Sequence, residues 1–183
     1  MTARPASGQI ISVRDAVAPD LPIIQSIYAH HVLNGLASFE EVPPDVAEIE
    51  RRYREITGRG LPYVVAELDG RVSAYSYAGP YRARPAYRYA LEDSVYVSSD
   101  AAGRGLGRAA LAAVIGRVTS LGYRQMIAII GDSGNAASIG LHRALGFRHA
   151  GTLRGVGFKF GRWVDSVLMQ LSLGDGDTQP PAR

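Results

Sequence analysis

Cysteine is absent from all 183 residues. That excludes disulfides, thiolate metal sites, iron–sulfur centres and a cysteine nucleophile. Lysine is almost absent too: of the 20 basic residues, all but Lys159 are arginine. The arginines are dispersed, with no run longer than Arg51-Arg52, and the formal charge is only +3. A nucleic-acid footprint is denser and more clustered, so no nucleic-acid partner is expected. The longest apolar stretches, such as Ala109 to Ile115, are far shorter than the ~20 residues of a membrane helix, so no membrane partner is expected either. The opening residues MTARPASGQ lack the apolar segment of a secretory signal, which makes a soluble cytoplasmic protein the expectation. The 4 histidines lack i, i+4 spacing and nearby carboxylate clusters, so no metal site is expected.

With 46% hydrophobic and 20% charged residues, the chain can build one core. Residues 1–9 and 174–183 are polar and rich in breakers and read as flexible tails around a single domain, residues 10–173. Within it, Ile10 to Arg14 reads as a strand. Asp20 is placed to cap a helix with Ile23, Ile24, Ile27, Tyr28 and His31 on one face. A second helix opens at Pro43-Pro44-Asp45, with Val46, Ile49, Tyr53 and Ile56 at helical spacing and Gly58 as its stop. Tyr63–Glu67 and Arg71–Tyr77 flank Asp69-Gly70, a two-residue hairpin signal, because both turn residues tolerate positive φ. A strand at Leu91–Val97, a long helix to Leu121, a strand at Gln125–Ile130 and a short helix from Asn135 or Ser138 follow. Strands at Phe147–Arg154 and Trp163–Leu173 close the domain. The alternation with a hairpin predicts an α/β fold on a mixed sheet.

The stretch Val95 to Arg108 is the most informative. A β-branched strand runs into Gly103, Gly105 and Gly107, then into a helix. Glycines allow close backbone approach to a ligand, and the free N–H groups of a first helical turn attract an anion. Arg104 and Arg108 add charge, so phosphate or pyrophosphate is the expected guest. The same glycines equally suit a tight strand-to-helix turn that binds nothing. A dinucleotide fingerprint fails in register, since Arg108 stands where its third glycine belongs, although Asp132 follows the next strand as a ribose-binding acid would. A P-loop fails outright, for there is no Gly-Lys-Ser or Gly-Lys-Thr.

These residues resemble the coenzyme A pyrophosphate loop of the GCN5-related N-acetyltransferases (GNAT). Asn135 to Phe147, in which an Asn and a Ser precede a helix ending Leu-Gly-Phe, resembles the second coenzyme segment of that family. Within it, the chain is similar to the phosphinothricin and methionine sulfone/sulfoximine acetyltransferase branch. The blocks that carry this are Ala37–Glu40, Gly79–Arg84, Leu91–Val97 and Gly157–Trp163, in family order over nearly the whole chain. The resemblance implies a GNAT-like fold, a mostly antiparallel sheet of about six or seven strands flanked by about four helices. It implies acetyl-CoA as co-substrate and direct transfer to an amine through a tetrahedral intermediate. Small amino acids such as phosphinothricin, methionine sulfone or methionine sulfoximine are the implied acceptors, and a homodimer the implied assembly.

Residue by residue, the resemblance makes Glu92 the general base and His142 the acid for the leaving thiolate. Coenzyme contacts fall on Val95, Tyr96, Val97, Gly103, Arg104, Gly105, Leu106, Gly107, Arg108, Asn135 and Ser138. Acceptor contacts fall on Phe39, Glu40, Arg82, Ala83, Arg84, Glu92 and Ser94, with the arginines as a forked clamp for oxyanions. Ala102 stands where the family carries Gln or Arg, which shifts phosphate binding onto the arginines and backbone amides. Strand alternation puts Asp93 on the opposite face from Glu92, so one acid of the pair is expected at the cleft. Asn135 and Ser138 suit helix capping as well as coenzyme binding. Three alternatives remain open on the residues alone: an unrelated amine as acceptor, a coenzyme-binding module without catalysis, and a dinucleotide-binding oxidoreductase.

Overall fold

A computed structural model of the chain describes residues 8–181. Seven strands form one sheet: β1 (Ile11–Asp15), β2 (Tyr63–Leu68), β3 (Arg71–Pro80), β4 (Ala90–Val97), β5 (Gln125–Gly131), β6 (Arg148–Lys159) and β7 (Arg162–Ser172). Their order is β1-β2-β3-β4-β5-β7-β6. Four helices flank it: α1 (Leu21–Asn34), α2 (Val46–Gly58), α3 (Leu106–Ser120) and α4 (Ala136–Ala144). Every strand pairing is antiparallel except β4 with β5, which α3 connects. A dinucleotide-binding fold needs successive parallel units, so this topology removes the oxidoreductase alternative.

Period-2 alternation gives each sheet face its own core. Val64, Ala66, Ala74 and Ala78 face α3, which buries Leu106, Ala110, Leu111, Val114 and Val118 against them. Tyr63, Val65 and Tyr75 face the other way, onto Ile24, Ile27, Tyr28 and Val32 of α1 and Ile49 of α2. Each fully buried Leu or Val contributes about 1.5–3 kcal/mol. Asp69 and Gly70 turn the β2–β3 hairpin with φ of 51° and 80°, as the turn chemistry requires. Asp45 caps α2 by accepting from the Glu48 amide at 2.8 Å.

Two local expectations are corrected. Asp20 does not cap α1; its carboxylate accepts from the Val17 amide and from Arg14 at 2.6 and 2.9 Å. A forked guanidinium contact outcompetes a single cap bond, and the Arg14 charge holds the Asp20 carboxyl below its ordinary range. Ile23 faces solvent, and Val32 lies in the core in its place. The expected N-terminal tail falls largely on residues outside those described. Within the C-terminal one, Asp175 and the Pro180 carbonyl accept from Arg124.

Candidate active site in the sheet split

Pairing between β4 and β5 ends at Glu92 with Ile127. Beyond that point β4 stays with β3 as far as Val97, while β5 stays with β7 as far as Gly131. The two strands part, and a slot opens in the sheet. Ser98 donates its amide to Ser73 on β3, so by alternation the peptide groups of Asp93, Val95 and Val97 turn toward the slot. Two adjoining cavities fill it.

The larger cavity, about 690 Å³, is lined by every residue expected to hold the coenzyme, from Val95, Tyr96 and Val97 through Gly103–Arg108 to Asn135 and Ser138. Its three glycines serve different ends. Gly103 and Gly105 have φ of 74° and 86°, where a side chain is strained. Gly107 is helical, and a Cβ there would press on Val97 at 3.1 Å and Leu141 at 3.4 Å, so it is a packing glycine. Arg104 and Arg108 border the cavity without an ion-pair partner among the described residues. Unpaired guanidinium groups beside the amides of a helix start fit a pyrophosphate. Asn135 caps α4, its side chain accepting from the Ser138 amide at 3.1 Å, and it also borders the cavity.

His31, expected on the apolar face of its helix, borders the same cavity, and sequence reasoning missed its bond there: Nε2 donates to the Val97 carbonyl at 2.8 Å. Burial pushes its pKa down, so the ring is neutral with its proton on Nε2. One carbonyl of the open strand edge is therefore already engaged. Gly131 was missed as well. It borders both cavities where the residues after α1 cross the end of β5, and a Cβ there would fall onto the Leu36 backbone carbonyl. Replacing Gly131 with alanine is expected to displace residues 35–37. The expected cost is about 1–3 kcal/mol in thermal unfolding, accompanied by a raised KM for acetyl-CoA in steady-state assays.

The smaller cavity, about 210 Å³, brings together Phe39, Glu92, Asp93, Ser94 and His142. Glu92 is half-buried, and its carboxyl makes no hydrogen bond among the described residues. Desolvation, and then the adjacent Asp93, push its pKa up to about 7. Such a carboxyl exchanges a proton readily near neutrality.

Asp93 and His142 correct the sequence expectation. Alternation does send the Asp93 side chain away from Glu92, toward His142 on α4, but the sheet is split at this point, and both acids border the slot. His142 is buried; Nδ1 donates to the Ser138 carbonyl at 2.8 Å and Nε2 meets Asp93 Oδ2 at 3.0 Å. The second Asp93 oxygen is buried without a partner. The carboxylate raises the His142 pKa, and burial raises that of Asp93, so the pair retains one proton. Both ring nitrogens of His142 are thus engaged within the fold.

The oxyanion clamp is not assembled. Arg82, Ala83 and Arg84 are exposed and border neither cavity. The Arg82 guanidinium instead lies over the Tyr81 and Tyr87 rings, at 5.1 and 5.9 Å, a cation–π seat on its own loop. Glu40 points away from the slot to Arg52 at 2.7 Å and accepts from Tyr28.

The family model described as "Acetyltransferase (GNAT) domain" matches residues 13–168. The chain belongs to the GNAT acetyltransferases. It is 56% identical over 170 residues to a phosphinothricin N-acetyltransferase of Alcaligenes faecalis, covering 93% of this chain and 86% of that one. It is 44% identical over 163 residues to an L-methionine sulfoximine/L-methionine sulfone acetyltransferase of Pseudomonas aeruginosa, covering 88% and 94%. Among solved structures, a GNAT superfamily phosphinothricin acetyltransferase from Sinorhizobium meliloti in complex with AcCoA superposes with a TM-score of 0.91 at 49% identity, covering 94% of each chain. Among the described residues no group of three His, Cys, Asp or Glu is placed to hold a metal, and no helix is long and apolar enough to cross a membrane.

Proposed function

We propose that this chain transfers the acetyl group of acetyl-CoA to the amino group of a small amino-acid-like substrate such as phosphinothricin, methionine sulfone or methionine sulfoximine. The observation that carries this is Glu92: an unpartnered carboxyl with a pKa near 7 at the apex of the slot, directly beside the larger cavity. The residues present fit the coenzyme. Gly103 and Gly105 leave the approach to the α3 amides open, Arg104 and Arg108 face it unpaired, and the Val95 peptide group is free to extend the sheet onto an elongated arm. When bound, the coenzyme supplies an activated thioester. Glu92 takes the proton of the acceptor ammonium, making the amine nucleophilic. The Val95 amide, pointing into the slot, is placed to donate to a developing negative charge. Phe39 and Ser94 wall the acceptor side.

A homodimer in the cytoplasm completes the reading. Apolar rings left exposed on the last hairpin, Phe158 and Trp163 among them, are surface that a second copy would cover. A single monomeric species in light scattering would overturn the dimer.

Release of free coenzyme A, followed with a thiol-reactive dye, tests the activity, and the chain has no cysteine to give a background. Fast release is expected with phosphinothricin, methionine sulfone or methionine sulfoximine, and little with a polyamine or an aminoglycoside. The reverse order would discard these acceptors and keep the transferase. Tight acetyl-CoA binding with silence across the panel would favour a coenzyme-binding module.

A further inference from the structure

The segment Gly157-Phe158-Lys159 on β6 takes no part in the coenzyme cradle and borders neither cavity. It nevertheless touches the wall of the acceptor side. An added Cβ on Gly157 would meet the Phe39 ring at 2.6, 2.9 and 2.9 Å. Two residues on, the chain's single lysine is 1% exposed, and its Nζ donates to the Ser38 carbonyl at 2.7 Å. Burying an ammonium is costly, and burial lowers the Lys159 pKa. The return is a donor for a loop carbonyl that no strand pairs.

The residues on either side of Phe39 are tied down. Ser38 is held by Lys159 and by the Tyr28 hydroxyl at 2.9 Å; Glu40 is held by Arg52 and by the same hydroxyl. Phe39 is 41% exposed, and its ring rests between Gly157 and the slot. Its position is therefore set from behind, by the floor that Gly157 provides, and from its root, by the anchor on Ser38.

We infer that β6 determines which acceptors the slot admits: Gly157 and Lys159 are positioning residues that fix Phe39 as the gauge of acceptor side-chain size. This rests on the acetyl transfer proposed above. An alanine at position 157 pushes the ring toward the slot. Because the ring is partly exposed it swings, and the strands do not have to part.

Steady-state kinetics on Gly157→Ala, Phe39→Leu and the double variant, with methionine sulfone and alanine as acceptors, test this. Gly157→Ala is expected to raise the KM for methionine sulfone about tenfold relative to that for alanine, the size of effect a small change in an apolar pocket produces. The KM for acetyl-CoA and the unfolding temperature stay at parental values. In the Phe39→Leu background the same glycine change has no further effect. Independent, multiplying effects, or equal changes in both KM values, would overturn the inference. Hydrogen exchange of the free protein supplies a readout that needs no turnover. Lys159→Met speeds exchange in residues 36–41, and Lys159→Arg, which keeps a donor, restores protection; unchanged exchange in the methionine variant refutes the anchor. A wild-type protein that turns over no amine would count against the transferase reading alone, while the exchange result still decides whether β6 holds the loop.

Discussion

Exchanging Glu92 for glutamine lowers kcat/KM for the acceptor amine by about 10²–10⁴-fold, the usual worth of a positioned general base. The KM for acetyl-CoA stays near its parental value, because Glu92 borders the smaller cavity and not the phosphate cradle. In the parent, kcat/KM climbs with pH until Glu92 is ionised, levelling above about 7. The variant loses that climb. Stability moves the other way. The carboxyl binds its proton more tightly in the folded chain, at about 7 against an ordinary 4.5, so folding is favoured at low pH. That advantage is lost as pH rises from 4.5 through 7. Glutamine cannot ionise, so at pH 8 the variant unfolds at higher urea than the parent, while at pH 4 the difference vanishes. An inactive variant that is also less stable at pH 8 would point to a misfolded site. A fully active one would place the base elsewhere.

This opposition explains why the residue sits where it does. A carboxyl at the fork of two strands is dehydrated on one side and beside Asp93 on the other, and the sheet bears a destabilising charge above neutrality. Functional sites characteristically spend stability in this way.

The parts of the fold legible in the sequence are those fixed by local chemistry. Asp69-Gly70 specifies its turn because both residues accept positive φ, and Gly103 and Gly105 mark the cradle for the same reason. Asn135 announces α4 as a cap. The lining of the larger cavity was legible because it clusters in two short runs, 95–108 and 135–138. The smaller cavity was not, since it is assembled from distant segments. Nothing local to Leu91–Val97 shows that β5 leaves β4 after Ile127, and without that split alternation wrongly assigns the slot to one acid. Asp93 and His142 are 49 residues apart, and Lys159 reaches Ser38 across 121. Lys159 did carry a signal, as the single lysine in an arginine-rich chain and in a strand with apolar neighbours. Arg82 lies over the rings of its own aromatic loop, and neither it nor Arg84 borders a cavity.

Replacing Asp93 with alanine is expected to cost about 3–5 kcal/mol, the price of stranding one member of a buried ion pair. Against a total of about 5–15 kcal/mol, that puts the variant near the edge of folding at 37 °C. The loss depends on pH in a defined direction. In the parent the pair holds a proton that the unfolded chain releases, since both His142 and Asp93 are shifted upward. Its stabilisation is complete below the ordinary histidine value of 6.5 and fades as pH rises through the raised value. The alanine variant therefore falls further below the parent at pH 6 than at pH 9 in urea unfolding. An equal loss at both would mean that Asp93 acts by packing alone. Removing both partners reverses most of the damage: Asp93→Val with His142→Leu leaves no uncompensated charge, and apolar pairs commonly match buried ion pairs in stability. That double variant also separates fold from chemistry. Both nitrogens of His142 are engaged in the parent, so the refolded double variant should keep kcat within about tenfold, less than the loss of a general acid entails. A stable double variant with kcat lower by about 10³ would return His142 to the proton-transfer step.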